Sequence, residues 1–119
     1  MTNPYETYLK TGLETMPLPK VISSGYERII LELKSAIEDI KKGDTKGKLD
    51  HIHRALEILR VLRLGLDFEK GGEIAVNLDN IYEFLERHIS LGNLKNDEKI
   101  LNEAIKILDT VKSGWDEIS

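Results

Sequence analysis

Ala55-Leu56-Glu57-Ile58-Leu59-Arg60-Val61-Leu62-Arg63-Leu64-Gly65-Leu66-Asp67-Phe68-Glu69-Lys70-Gly71-Gly72-Glu73-Ile74-Ala75-Val76-Asn77-Leu78-Asp79-Asn80-Ile81-Tyr82 is the stretch that decides the fold. In its first half Leu56, Leu59, Leu62 and Leu66 recur at the three- and four-residue intervals that place side chains on one face of a helix. Gly71-Gly72 then breaks the chain, Glu73 falls in the first turn of the next element, and Ile74, Leu78, Ile81 and Tyr82 resume the same period. No alternation of the kind a strand needs competes with it. Two amphipathic helices joined by a short turn must lie antiparallel and hide their apolar stripes against something else.

The flanking sequence supplies that something. Gly43-Asp44 upstream and Gly92-Asn93 downstream cut the remainder into stretches of roughly 20 to 25 residues, a length typical of bundle helices. The first stretch aligns Tyr26, Ile29, Ile30, Leu33, Ile37 and Ile40, and ends on Lys41 and Lys42, where cations suit the negative end of the helix dipole. Asp44 or Thr45 can cap the second helix, whose stripe begins with Leu49 and Ile52. The third continues through Leu85 and Ile89. Asn96, Asp97 and Glu98 form a start signal for a fourth helix presenting Leu101, Ala104, Ile105, Leu108, Val111 and Trp115. The expected fold is all-α, an antiparallel up-down four-helix bundle forming one domain over 1–119. Residues 1–18, closed by Pro17 and Pro19, carry Tyr5, Tyr8 and Leu9 at one-turn spacing and read as a short N-terminal helix or strap capping the bundle.

Composition narrows the function. The chain has 119 residues, 40% hydrophobic and 32% charged, enough for a core with a well-solvated exterior. Its formal charge of −4 is spread along the chain without a basic block, so a nucleic-acid partner is not expected. Cysteine is absent, which excludes disulfides, thiolate catalysis and zinc-thiolate sites. Met1 to Lys10 lacks the basic start and apolar run of a signal peptide, and Arg60 and Arg63 break the longest apolar stretch, so no membrane insertion and a cytoplasmic location are expected. Glutamine is missing while Lys, Glu and Ile are plentiful, a weak sign of a heat-adapted source.

Motifs for catalysis, cofactors or metals are missing. His51 and His53 sit two positions apart, so a helix points them to different faces, and both read as solvated polar residues. No Glu-x-x-His occurs, as a di-metal bundle would require. Lys70-Gly71-Gly72-Glu73 lacks the Gly-x-x-x-x-Gly-Lys frame of a phosphate loop. His88 could serve as a phosphoryl acceptor on a helix face, but the next lysine is Lys95, beyond the turn. The chain is therefore not expected to be an enzyme.

What remains is surplus apolar surface. On a helical wheel Val61 and Leu64 fall among Arg54, Glu57 and Arg60, away from the main stripe. Phe84 and Leu91 lie one heptad apart, near Asn77 and His88. Single exposed apolar residues are common on any surface. Several on adjacent helices make a groove that either oligomerises or receives a partner. Four large side chains buried there would contribute about 1.5 to 3 kcal/mol each, against roughly 2 to 5 kcal/mol for ordering a flexible peptide.

The run from Ala55 to Tyr82, above all Leu66-Asp67, Glu69, Gly71-Gly72-Glu73-Ile74-Ala75, Asn77-Leu78 and Tyr82, resembles the signature of the flagellar secretion chaperone family (FliS). Tyr5, Tyr8, Tyr26 and the closing Gly114-Trp115-Asp116-Glu117 extend the similarity over nearly the whole chain. One departure is Ile22-Ser23-Ser24-Gly25, where relatives carry a strongly apolar run.

The resemblance implies an antiparallel bundle that binds the disordered C-terminal segment of flagellin, part helical and part extended. It thereby prevents polymerisation and delivers the client to an export-gate component of the flagellar type III apparatus. It implies a capping or client-contact role for Tyr5 and Tyr8, and a backbone-recognising amide at Asn77. Leu62, Leu66, Leu78 and Tyr82 are expected in the core. Ile58, Val61, Leu64 and Gly65 on the second helix, with Ile81, Phe84, His88 and Leu91 on the third, complete the expected client-binding set. No cofactor is implied. A co-chaperone or flagellar regulator is a further candidate partner, and the expected state is a monomer or weak homodimer. The alternatives are a regulatory bundle, through His88 phosphotransfer or as a protein adaptor, and a subunit of an obligate helical oligomer.

Overall fold

The computed structural model describes residues 18–117. The expected strap, with Tyr5 and Tyr8, lies outside the described residues. Four helices follow one another: α1 (Leu18–Lys42), α2 (Thr45–Leu64), α3 (Phe68–Lys95) and α4 (Glu98–Glu117). α1 packs against α2 and α4, and α3 against the same two, so α1 and α3 face each other across a diagonal. Ser23 donates to the Asp116 carboxylate at one end of the α1–α4 pair, and Lys41 lies 3.8 Å from Glu98 at the other, which sets the two antiparallel.

α1 begins earlier than the stripe from Tyr26 suggested. Pro19 falls in its first turn, where the missing N–H has no helical partner to lose. Ile22-Ser23-Ser24-Gly25 stays helical, with Ile22 and Ser23 buried. Asp44 caps α2, its carboxylate accepting from Gly47 N at 2.9 Å. α3 also starts before the expected Gly71-Gly72 break. The Asp67 carboxylate accepts from Glu69 N and Lys70 N, both at 3.0 Å, and nucleates a turn from Phe68. Gly72 then adopts φ 50 and ψ −125, a backbone region that L side chains avoid, and kinks α3 there. Asp97 rather than Asn96 caps α4, accepting from Lys99 N at 2.9 Å, while Asn96 closes α3 in the left-handed region.

Two stripe positions are corrected. Leu49 is 48% exposed and Ile74 is 69% exposed. The cause is phase. The inward row of α2 runs Lys48, Ile52, Ala55, Leu59, Leu62, and that of α3 runs Ala75, Tyr82, Leu85, Ile89, Gly92, each one step round from the expected stripe. Buried Lys48 is tolerated because its ammonium donates to Asn93 O at 3.1 Å and Asn96 Oδ1 at 2.7 Å, tying the start of α2 to the end of α3. Leu62 and Tyr82 are buried as expected, with Leu66 and Leu78 packed at the edge of the core.

Two close contacts fix the centre. The Tyr26 and Tyr82 hydroxyls hydrogen-bond across the diagonal, and Trp115 Nε1 donates to Tyr26 Oη at 3.0 Å. Gly92 brings α3 against α4 so closely that a Cβ there would stand 2.7 Å from Leu101 Cδ2.

Candidate binding faces

The helices present three seams to solvent that bear on binding, and their chemistry differs. Between α2 and α3 the seam is ionic. Arg63 Nε donates to Asp79 Oδ1 at 2.6 Å and its guanidinium also lies within 4.0 Å of Glu83 and Glu86, while Arg60 Nε reaches Glu86 at 3.3 Å. The hydrogen bond to Asp79 holds the Arg63 guanidinium above its ordinary pKa. Around this network a shallow cavity of about 460 Å³ is lined by Leu64, Leu66 and Phe68 with the paired charges.

Between α1 and α2 the seam holds a half-buried polar cluster. Glu32 is buried, and its carboxylate meets His51 Nδ1 at 2.6 Å and Arg54 at 3.8 Å. His51 Nε2 lies 3.6 Å from Asp39 Oδ2. His51 is therefore not the solvated residue expected, because α1 supplies carboxylates at both ring nitrogens. His53 does lie exposed, 3.3 Å from Glu57.

Between α3 and α4 the seam is apolar. Ile81 is partly buried, Phe84 is 42% exposed and Leu91 38% exposed. His88 stacks on Phe84 with ring centroids 4.9 Å apart and planes 22° from parallel. Its Nε2 faces Glu103 of α4 at 3.8 Å. Helical spacing places Ile100 and Ile107 on the same flank of α4 as Glu103, and both are partly buried.

The expected client-binding residues thus divide between faces. Ile58, Val61 and Gly65 continue the α2 row of His51 and Arg54, which faces α1. Ile58 and Val61 are half-buried and Gly65 is buried. Leu64, 75% exposed, turns instead to the rim of the ionic seam. Ile81, Phe84, His88 and Leu91 share the α4 side of α3, with Asn77 exposed one turn before Ile81. Opposite seams of a square bundle cannot be spanned by one straight helix. Ile100, Glu103 and Ile107 were missed, although their three- and four-residue spacing marks a second row beside the α4 stripe.

Residues 1–119 match the family model described as "Flagellar protein FliS". The chain belongs to the FliS family. It is 46% identical over 99 residues to the flagellar secretion chaperone FliSB of Pseudomonas aeruginosa, covering 83% of this chain and 75% of that protein. It is 37% identical over 98 residues to the flagellar secretion chaperone FliS of Vibrio cholerae, covering 82% of this chain and 69% of that protein. To the Campylobacter jejuni chaperone it is 32% identical over 114 residues, 96% and 89% of the two chains.

FliS proteins are flagellar secretion chaperones and not enzymes. The site chemistry is consistent with that. Among the described residues no group of three or more His, Asp or Glu could hold a metal ion. His88 Nε2 is buried, unlike a histidine displayed to a phosphodonor. No helix is long and apolar enough to cross a membrane among those residues.

Proposed function

We propose that this FliS chain holds the disordered C-terminal segment of flagellin in the cytoplasm, prevents its polymerisation, and hands it to the export gate of the flagellar type III apparatus. Family membership supports the chaperone role. The observation that carries the client site is the exposed apolar row Phe84 and Leu91, flanked by Ile81, along a seam whose opposite wall is also apolar. An amphipathic client helix lying there covers surface that water now wets. The second set, Ile58 and Val61 at the α1–α2 seam, receives a later part of the same segment. The client must therefore bend around the bundle, helical in one place and extended in another. Tyr5 and Tyr8 cap the client site or touch the client.

Isothermal titration with a synthetic peptide covering the C-terminal segment of the cognate flagellin tests this. Binding is expected to be stoichiometric, with a negative heat-capacity change and helix gain in the peptide. Phe84→Asp should weaken it about tenfold to a hundredfold, the ~1.5 to 3 kcal/mol of one large apolar side chain, while the bundle stays folded. Val61→Asp reports on the second seam in the same way. Unchanged affinity in both variants would refute both faces.

A further inference from the structure

The α3–α4 seam is apolar along most of its length, yet a polar pair bridges it beside the most exposed ring. His88 Nε2 and Glu103 Oε2 stand 3.8 Å apart. That is beyond the 2.7–3.2 Å of an N–H···O bond, and Nε2 is buried without a hydrogen-bond partner. A buried polar atom left unpaired costs free energy, so the site as it stands is incomplete. The imidazole is poorly able to repair it, because stacking on Phe84 at 4.9 Å and 22° holds the ring plane. Glu103, with a side chain 51% exposed on flexible methylenes, is the member that can move.

We infer that His88 and Glu103 together read one side-chain amide, asparagine or glutamine, in the segment that occupies this seam. The inference rests on the client reading above and adds the chemistry of one client position. A primary amide carries an acceptor and a donor on one rigid plane. Its carbonyl oxygen accepts from Nε2–H of His88 while its NH₂ donates to the Glu103 carboxylate, which swings outward to admit it. The alternatives each leave a group unmatched. A client carboxylate meets the Glu103 charge, a lysine supplies no acceptor for Nε2, and an apolar side chain leaves Nε2 as it is now. Phe84 and Leu91 precede and follow His88 by one helical turn. The recognised client pattern is therefore an amide with large apolar residues three or four positions away on both sides.

The test uses full-length protein, the flagellin C-terminal peptide, and a peptide series in which each Asn and Gln is replaced singly by Leu. At one amide position the replacement should weaken binding about five- to tenfold, as one neutral hydrogen-bonded pair does. His88→Leu should weaken the unmodified peptide by the same factor, and the two changes together should weaken it no further. His88→Gln, which keeps a donor, should stay within about threefold of the parent. Equal binding by His88→Leu, or no coupled amide position, overturns the inference. If Phe84→Asp still destroys binding in that case, the seam remains the client site and only the amide reading falls. If Phe84→Asp binds normally, the client reading of this seam fails and the inference falls with it. Should His88→Leu not fold, the peptide series against the parent protein and His88→Gln decides the matter.

Discussion

The two flanks of α3 differ although they are interleaved along the same turns. On the α2 side, Asp79, Glu83 and Glu86 recur at one-turn spacing and are met by Arg60 and Arg63. On the α4 side, Ile81, Phe84, His88 and Leu91 recur at the same spacing and meet no comparable set of charges. The first flank is satisfied within the chain and fixes which helix α2 sits beside. The second is only half covered by α4, because Gly92 and Leu101 draw the helices together at one end and leave Phe84 and Leu91 outside the contact. A peptide can enter the second flank without breaking an ion pair. At the first it would have to.

The sharpest way to break this division compares neighbours on α3. Leu85 is fully buried and Phe84 is 42% exposed. Leu85→Ala should cost about 2 to 5 kcal/mol of stability in urea unfolding. Phe84→Ala should stay within about 1 kcal/mol while still weakening the client. Equal losses in stability would mean Phe84 is core and the binding row is misplaced.

Gly92→Ala tests the close end of the seam. Alanine normally favours a helix over glycine by about 1 kcal/mol. Here its Cβ would lie 2.7 Å from Leu101 Cδ2 and 2.9 Å from Leu101 Cγ. Leu101 is itself fully buried and has little room to yield. The strain, about 1 to 3 kcal/mol for an overpacked site, should outweigh the propensity gain and leave a net loss. A stabilised Gly92→Ala protein would show that the two helices stand further apart than described.

Alkaline titration probes the centre that joins both flanks. Burial pushes the Tyr26 hydroxyl above its ordinary 10.0, against the opposing hydrogen bonds from Tyr82 and Trp115. The folded state thus keeps the proton longer than the unfolded chain does. Stability is full below pH 10, then falls as the unfolded chain ionises first, until the folded pKa is passed. Tyr26→Phe removes this titration and should give a shallower alkaline limb in unfolding measured against pH. An identical limb would assign the alkaline loss elsewhere.

The four helices were legible because the apolar period and the glycine breaks agree over the whole chain. Their phase was less so. A stripe such as Leu49, Ile52, Leu56 is a band wider than the row that ends up inside, and only packing chooses Lys48 and Ala55 over Leu49. Nothing local says that Asn93 and Asn96 will be waiting for the Lys48 ammonium. The binding faces were half legible. Phe84 and Leu91 stand out as apolar residues off the stripe, but adjacency in sequence order suggested one groove where the bundle forms two seams. Which flank of a helix meets which neighbour depends on the square arrangement, and no single helix encodes that. Glu103 escaped notice because a glutamate on a helix surface is unremarkable until His88 is placed opposite it.

The smallest expected effect belongs to the ionic flank. Arg63 is held by a hydrogen bond to Asp79 and by two further carboxylates, in a seam open to water. Such pairs are weakened by salt, whose screening length shrinks to about 3 Å at 1 M. Arg63→Met keeps much of the apolar stem against Leu64 and Leu66 and removes the charge. Its unfolding midpoint should fall slightly at low salt and converge on the parent at 1 M. Client affinity should not change at either, since the peptide lies along the other flank. A loss of affinity in Arg63→Met would mean that the client crosses the ionic seam, and the contrast between the two flanks would no longer explain where flagellin sits.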